Sequence, residues 1–204
     1  MISKESIRQK VVELREITVK RNFIQTLELQ LSLHRYDPKK KLLVLNHLVP
    51  YETKLHHKIC IIGDLQHIEE CIRLNIDHIS VEELQDFKRD KKLIKKFISK
   101  YDIFLCSESI LKQIPRLLGP SLHKAGKFPV RITHNDDLLH KYNELKRSLK
   151  WKFKDHYYHN PIGHESLTND QLTENIYQTL LIIGNKNLLE KVFVKFTMGR
   201  SLEI

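Results

Sequence analysis

Residues 22–34 read NFIQTLELQLSLH. Phe23, Leu27, Leu29, Leu31 and Leu33 take odd positions, with Gln25 the polar exception among them; Thr26, Glu28, Gln30, Ser32 and His34 take the even ones. Sustained period-two alternation predicts a long strand with one buried and one wet face. Asp37-Pro38 marks a turn, three lysines (Lys39, Lys40, Lys41) follow, and a second apolar run fills 42–45, so the pattern predicts an antiparallel ribbon. Its wet face would present a carboxylate, a hydroxyl and amides among cations, groups able to read nucleic-acid hydroxyls and base edges. The plainer reading is the solvated side of a sheet.

Outward from this stretch, the chain of 204 residues has room for one large or two small domains. Hydrophobic residues make up 41%, and no apolar run reaches the length of a membrane span, which predicts a soluble protein. No charged-then-apolar leader opens the sequence, so secretion is not expected. Cys60, Cys71 and Cys106 are odd in number with no close pair, and read as buried thiols of a reducing compartment. Thirty-five Lys and Arg against 25 Asp and Glu leave a net charge of +10. That excess, spread along the chain, suggests a polyanionic partner. Without a basic amphipathic helix rich in bulky aromatics, nucleic acid is favoured over a membrane.

Residues 3–19 read as a helix capped by Ser3, with Ile7, Val11, Leu14 and Ile17 on one face. An irregular crossing segment, 46–57, follows the ribbon. From Lys58 the texture changes to short apolar runs alternating with helical stretches: strands at 58–63, 78–81 and 102–106, and helices at 65–74, 82–87, 91–100 and 108–118. In the lysine-rich helix Leu93, Ile94, Phe97 and Ile98 form the apolar stripe. This alternation predicts a parallel sheet covered on both sides, a small Rossmann-like module. One more helix starts near residues 135–137. Strict alternation returns at 149–154, with a neighbouring strand at 157–164 expected to pair with it. A long helix from Thr168 places Leu172, Ile176, Leu180 and Ile183 on one face, and a strand at 191–196 leads into Thr197-Met198-Gly199-Arg200. The expected class is α/β in two domains. A discontinuous α+β outer domain with a split antiparallel sheet spans 1–56 and 150–204, and an inserted Rossmann-like parallel domain spans 57–149.

Gly119 to Lys127 invites a phosphate-loop reading that fails on spacing: six residues separate Gly119 from Gly126, and Phe128 follows Lys127 where a magnesium-binding hydroxyl is needed. No GxGxxG follows the first inner strand; Gly63-Asp64 stands alone. His156, His159 and His164, with His56 and His57 as extras, read as surface histidines rather than metal ligands, since no cysteine or carboxylate pattern completes a site. Ser107 and Glu108 read as a helix start, a capping hydroxyl and an anion matched to the dipole. No catalytic residue, metal site, cofactor or small-molecule substrate is expected.

The run SESILKQIPRLLGP at 107–120, continuing through Lys124-Ala125-Gly126-Lys127-Phe128-Pro129, resembles the signature of one family. It is the large-subunit ribosomal protein of the lateral stalk beside the tRNA exit site, the L one family, in its eukaryotic L ten a type. FIQTLEL at 23–29, Tyr36-Asp37-Pro38-Lys39 and the terminal Thr197-Met198-Gly199 agree in order. The resemblance implies a structural constituent of the cytoplasmic large subunit, whose discontinuous domain binds large-subunit rRNA. The stalk so formed would help move and release deacylated tRNA at the exit site. It places rRNA contacts on Lys20, Arg21, Phe23, Thr26, Glu28, Gly163, His164, Thr197, Met198, Gly199 and Arg200. Partners would be rRNA, exit-site tRNA and other ribosomal components, with no membrane. Thr26, Glu28 and Thr197 would bond 2′-hydroxyls and base edges, Gly199 would admit close backbone approach, and Lys20, Arg21 and Arg200 would hold phosphates.

The sequence departs from the family at Asn22, where a basic residue is usual, along the second ribbon strand at 43–47, at Ser121 and at Lys191. Two other classes compete: an RNA-binding regulator acting on an mRNA that mimics the rRNA site, and a small Rossmann-like enzyme.

Overall fold

The alternation around Leu27 becomes β1 (Thr26–Leu33), with Leu27, Leu29, Leu31 and Leu33 buried and Thr26, Glu28 and Gln30 half-buried on the opposite face. The computed structural model describes residues 3–33, 43–87, 90–153, 157–184 and 189–204. The expected turn at Asp37-Pro38, the lysines after it, Leu42, His34, Lys154 and His156 lie outside the described residues. Ser32 departs from the wet face: it is 3% exposed, and its hydroxyl donates to Glu190 Oε2 at 3.1 Å.

β1 does not fold back on its neighbour in sequence. It lies between β8 (Tyr157–His164) and β9 (Leu189–Phe196), antiparallel to both, and β10 (Leu202–Glu203) extends the sheet beyond β9. β2 (Leu43–Leu48) pairs instead with β7 (Ser148–Phe153) in a separate two-stranded sheet. The expected ribbon of residues 22–45 is thus corrected, and so is the expected pairing of 149–154 with 157–164. Alternation specifies which face of a strand is buried, not which strand lies beside it.

α1 (Lys4–Ile17) begins at Ser3, whose Oγ accepts the Ser6 N–H at 3.1 Å. Ile7, Val11 and Leu14 are buried, but Ile17, the last helical residue, is 47% exposed and leaves the expected stripe. α9 (Asn169–Gly184) opens with a capping box: Thr168 Oγ1 accepts the Gln171 N–H, and Gln171 Oε1 accepts the Thr168 N–H. Its Leu172, Ile176, Leu180 and Ile183 join the helix α1 residues, the β1 leucines, Trp151, Phe153 and Phe196 in one core. Fully buried Asn175 pins the irregular crossing segment, accepting from the Tyr51 N–H and donating to the carbonyls of Tyr51 and Ile162.

The chain divides into two units, Met1–Leu55 with Lys146–Ile204, and His56–Leu145. The return crossing falls at Lys146, ahead of the 149/150 boundary expected from alternation, because β7 already begins at Ser148.

The second unit is a parallel sheet in the order β4 (His78–Ile79), β3 (Ile59–Ile62), β5 (Ile103–Ser107), β6 (Val130–Ile132). β3 is buried on both faces. Cys60 and Ile62 face one core, shared with Phe104 and with Ile94 and Ile98 of α4 (Lys91–Lys100). Ile59 and Ile61 face the other, shared with Cys71 of α2 (Leu65–Arg73) and with Leu138 and Leu145 of α8 (Leu138–Lys146). Such two-sided burial is what a parallel sheet covered by helices requires. α3 (Val81–Phe87) precedes α4, in which Leu93 is 47% exposed rather than part of the stripe. The helix expected over 108–118 is broken into α5 (Glu108–Leu111) and α6 (Ile114–Leu117), and α7 (Gly119–Ala125) follows. Pro115 and Pro120 lack the N–H that a continuous helix needs, and each stands in the first turn of a new one. Gly126 ends α7 in the left-handed conformation, φ 69°. Lys127, the lysine of the failed phosphate-loop match, is structural: its Nζ donates to the carbonyls of Ile98 and Tyr101 at the end of α4. All three cysteines are free and buried, and burial pushes the thiols of Cys60 and Cys106 up to about 12 and that of Cys71 to about 11.

Candidate nucleic-acid interface

β1, as the middle strand of its sheet, carries a polar row at Thr26, Glu28 and Gln30. Register places Lys195 and Pro161 beside Glu28, and Phe193 and His159 beside Gln30. Residues directly opposite on antiparallel strands share a face, so the acid sits between a cation and an apolar ring. Next to it, a groove of about 390 Å³ is lined by Gln30, Tyr157, His159 and Phe193 among others. Tyr157 is 76% exposed at its rim. Hydroxyl, amide, carboxylate, ammonium and aromatic groups on one sheet face are the chemistry that reads unpaired or distorted RNA.

The end of β9 turns back beside the start of β1. Thr197 donates its N–H to the Thr26 carbonyl at 3.0 Å, and its hydroxyl bridges the Thr26 N–H and carbonyl, 3.2 Å to each. Gly199 closes the turn through its N–H to the Phe196 carbonyl at 2.8 Å. Met198 projects from the turn, 62% exposed. A Cβ on Gly199 would reach only ordinary contact, 3.4 Å from the Phe196 oxygen. The fold itself therefore has room for alanine there.

The organiser of this corner is Gln25, which is 1% exposed. Its Oε1 accepts the Met198 N–H and its Nε2 donates to the Val19 carbonyl, each at 3.3 Å. Its backbone exchanges two bonds with Glu165, the Gln25 N–H to Glu165 Oε2 and the Glu165 N–H to the Gln25 carbonyl. One buried amide thus ties the segment carrying Lys20 and Arg21 to the Thr-Met-Gly turn. Gln25 lies within the FIQTLEL run but is not among the expected contact residues; its own signal in the sequence is a polar side chain at an apolar position of the alternation. Lys195, opposite Glu28, also escapes a reading that lacks strand register.

Of the expected residues, Thr26, Glu28, Thr197, Met198 and Gly199 meet at this corner, with exposed Lys20, Arg21 and Arg200 adjoining them in sequence. Phe23 differs from its parity: it precedes the strand and is 52% exposed, not part of the leucine core. Gly163 and His164 also differ, since both are buried. β1 and β8 change register between Leu27 and Glu28, and residues 162–164 are buried in succession rather than alternately. A Cβ on Gly163 would lie 2.5 Å from Leu172 Cδ2, so any larger residue there would force Leu172 of α9 to shift.

Of the histidines weighed at 156–164, His159 is exposed, His164 is buried, and His156 lies outside the described residues. Among the described residues the potential donors that do converge are Asp64, His67 and His134, in the second unit.

Residues 14–200 match the model of the Ribosomal protein L1p/L10e family. The chain is 38% identical over 210 residues to the large ribosomal subunit protein uL1 of Oryza sativa subsp. japonica, an alignment covering 100% of this chain and 96% of the relative. It is 39% identical over 187 residues to the large ribosomal subunit protein uL1z of Arabidopsis thaliana, covering 88% and 87%. The same identity and coverage hold for uL1y of that plant.

Proposed function

Because the chain belongs to the Ribosomal protein L1p/L10e family, we propose that it is a structural, non-enzymatic constituent of the large ribosomal subunit that binds large-subunit rRNA. The corner where the β1 polar row meets the Thr197–Gly199 turn carries this reading, since it joins hydrogen-bonding groups to an exposed Met198 and to flanking cations. Thr26, Glu28 and Lys195 specify, by bonding 2′-hydroxyls and base edges, while Lys20, Arg21 and Arg200 position the phosphates. The bound protein and its rRNA helix form the mobile lateral stalk of the cytoplasmic ribosome and assist release of deacylated tRNA from the exit site.

A salt titration of binding to the isolated stalk rRNA fragment, against an unrelated structured RNA of equal length, tests the proposal. Preference for the stalk fragment that persists at high salt is the expected result. Equal affinities with parallel salt slopes would reduce the interaction to the charge of a basic chain and overturn it. Neutralising Lys92, Lys95 and Lys96 on α4 should leave the preference unchanged.

A further inference from the structure

The second unit gathers its own polar cluster at the carboxyl ends of its parallel strands. Asp64 follows β3, Ser107 ends β5, and His134 lies two residues past β6. In the order β4-β3-β5-β6 the connections of β3 and β5 leave in opposite directions. That arrangement opens a crevice at the carboxyl ends of the two strands, the place where open α/β sheets bind their ligands.

Asp64 stands at the N-cap of α2 but makes no side-chain cap bond. Its carboxylate is aimed into the crevice instead. Oδ1 lies 2.6 Å from His67 Nδ1. Oδ2 accepts from Ser107 Oγ at 3.0 Å and Ser109 Oγ at 2.9 Å, and stands 3.3 Å from His134 Nε2. Ser107 therefore holds Asp64 and not the helix end that its position in the sequence suggests. The two imidazoles stack with centroids 4.6 Å apart. One donor atom from each of Asp64, His67 and His134 lies within 4.8 Å of the other two. The back wall is dry and the front open: the His67 side chain is 4% exposed, that of His134 48%. Gly63 makes the back wall possible, since a Cβ there would come within 2.9 Å of His67 Cβ.

We propose that Asp64, His67 and His134 form a binding site for one divalent transition-metal ion of the zinc class. Two imidazoles and a carboxylate suit zinc and its neighbours, whereas calcium and magnesium require oxygen sets. Tetrahedral zinc with bonds near 2.1 Å spaces its donor atoms roughly 3.4 Å apart. The Asp64 separations, 2.6 Å to His67 Nδ1 and 3.3 Å to His134 Nε2, fall short of that spacing. An ion would therefore displace the direct Asp64–His67 hydrogen bond and spread the three donors around itself, and the exposed side leaves the fourth position to water. Ser107 and Ser109 supply the outer-shell bonds that orient a ligating carboxylate. The bound ion would clip the ends of β3 and β6 to the start of α2.

The test uses the full chain stripped with chelator, titrated calorimetrically with Zn²⁺ and optically with Co²⁺. The expected result is one tight zinc per chain and cobalt absorption of a four- or five-coordinate N/O site. His134→Ala, at a half-exposed position that leaves the fold intact, should weaken zinc by about a hundredfold or more, and Ser109→Ala by about tenfold. His140→Ala, on exposed α8 surface, should change nothing. Equal zinc affinity in wild type and His134→Ala would overturn the proposal, leaving Asp64 as a hydrogen-bonded hub without an ion. A six-coordinate cobalt spectrum, unchanged by His134→Ala, would do the same. Neither outcome bears on rRNA binding by the other unit.

Discussion

Replacing Gln25 by Met keeps the length and volume of the side chain and removes two hydrogen bonds. Met198 loses the acceptor for its N–H, and Val19 loses the donor to its carbonyl. Each such bond contributes about 1 kcal/mol net. Val19 is 67% and Met198 62% exposed, so water can replace part of what is lost, and the stability change should be about 1–2 kcal/mol. The effect on RNA binding has another origin. Met198 would be released from its fixed backbone and would have to be ordered again in the complex, at about 1–2 kcal/mol for one residue. That corresponds to binding weakened roughly 5- to 30-fold. Urea unfolding gives the first quantity, and competition for the stalk rRNA fragment gives the second. Stability lowered as stated with RNA affinity unchanged would refute the idea that Gln25 holds the turn for RNA.

Two glycines should separate packing from contact. Gly163→Ala drives a methyl group into Leu172 and should cost about 1–3 kcal/mol of stability, read from the urea midpoint. Gly199→Ala should leave that midpoint in place but weaken rRNA binding, and an unchanged affinity would remove Gly199 from the interface. Glu28→Ala and Thr197→Val should each weaken specific rRNA binding by about 1–3 kcal/mol. Thr197→Val should also cost stability, because the hydroxyl serves the Thr26 backbone, and Thr197→Ser should restore both. His47 contributes a pH dependence: it contacts Thr179 Oγ1 at 3.1 Å, and burial lowers its pKa below the ordinary 6.5. The unfolded chain then takes up this proton first, so the contribution is complete above about pH 6.5 and is lost as pH falls through the folded value. Wild type should lose more stability between pH 7.5 and 5 than His47→Gln, and equal losses would contradict the assignment.

Faces were legible in the sequence where neighbours were not. The leucines of β1, the stripe of α9 and the two-sided strand β3 follow from periodicity, since a regular backbone turns spacing directly into direction. Pro115 was equally visible as a break, yet the helix drawn over 108–118 through apolar spacing alone runs over it. The family signature at 107–129 identified the chain through residues that serve the second unit's own fold, with Lys127 capping α4 and Ser107 holding Asp64. Phe23 was misplaced because strand parity was carried back past the start of β1, and Ile17 because the helical stripe was carried into the exposed last residue of α1.

By itself the sequence determined the class of the chain, its two textures, its basic charge and the family to which it belongs. All of these are local or additive properties, written in spacing and composition. Tertiary structure alone decided that β1 lies between β8 and β9, that Gln25 reaches Met198 across the chain, and that Asp64, His67 and His134 converge. Those contacts join residues as many as 173 positions apart. Loop closure over such separations depends only weakly on length, so the partner is chosen by burial and by the satisfaction of buried polar groups throughout the unit, which no local pattern records.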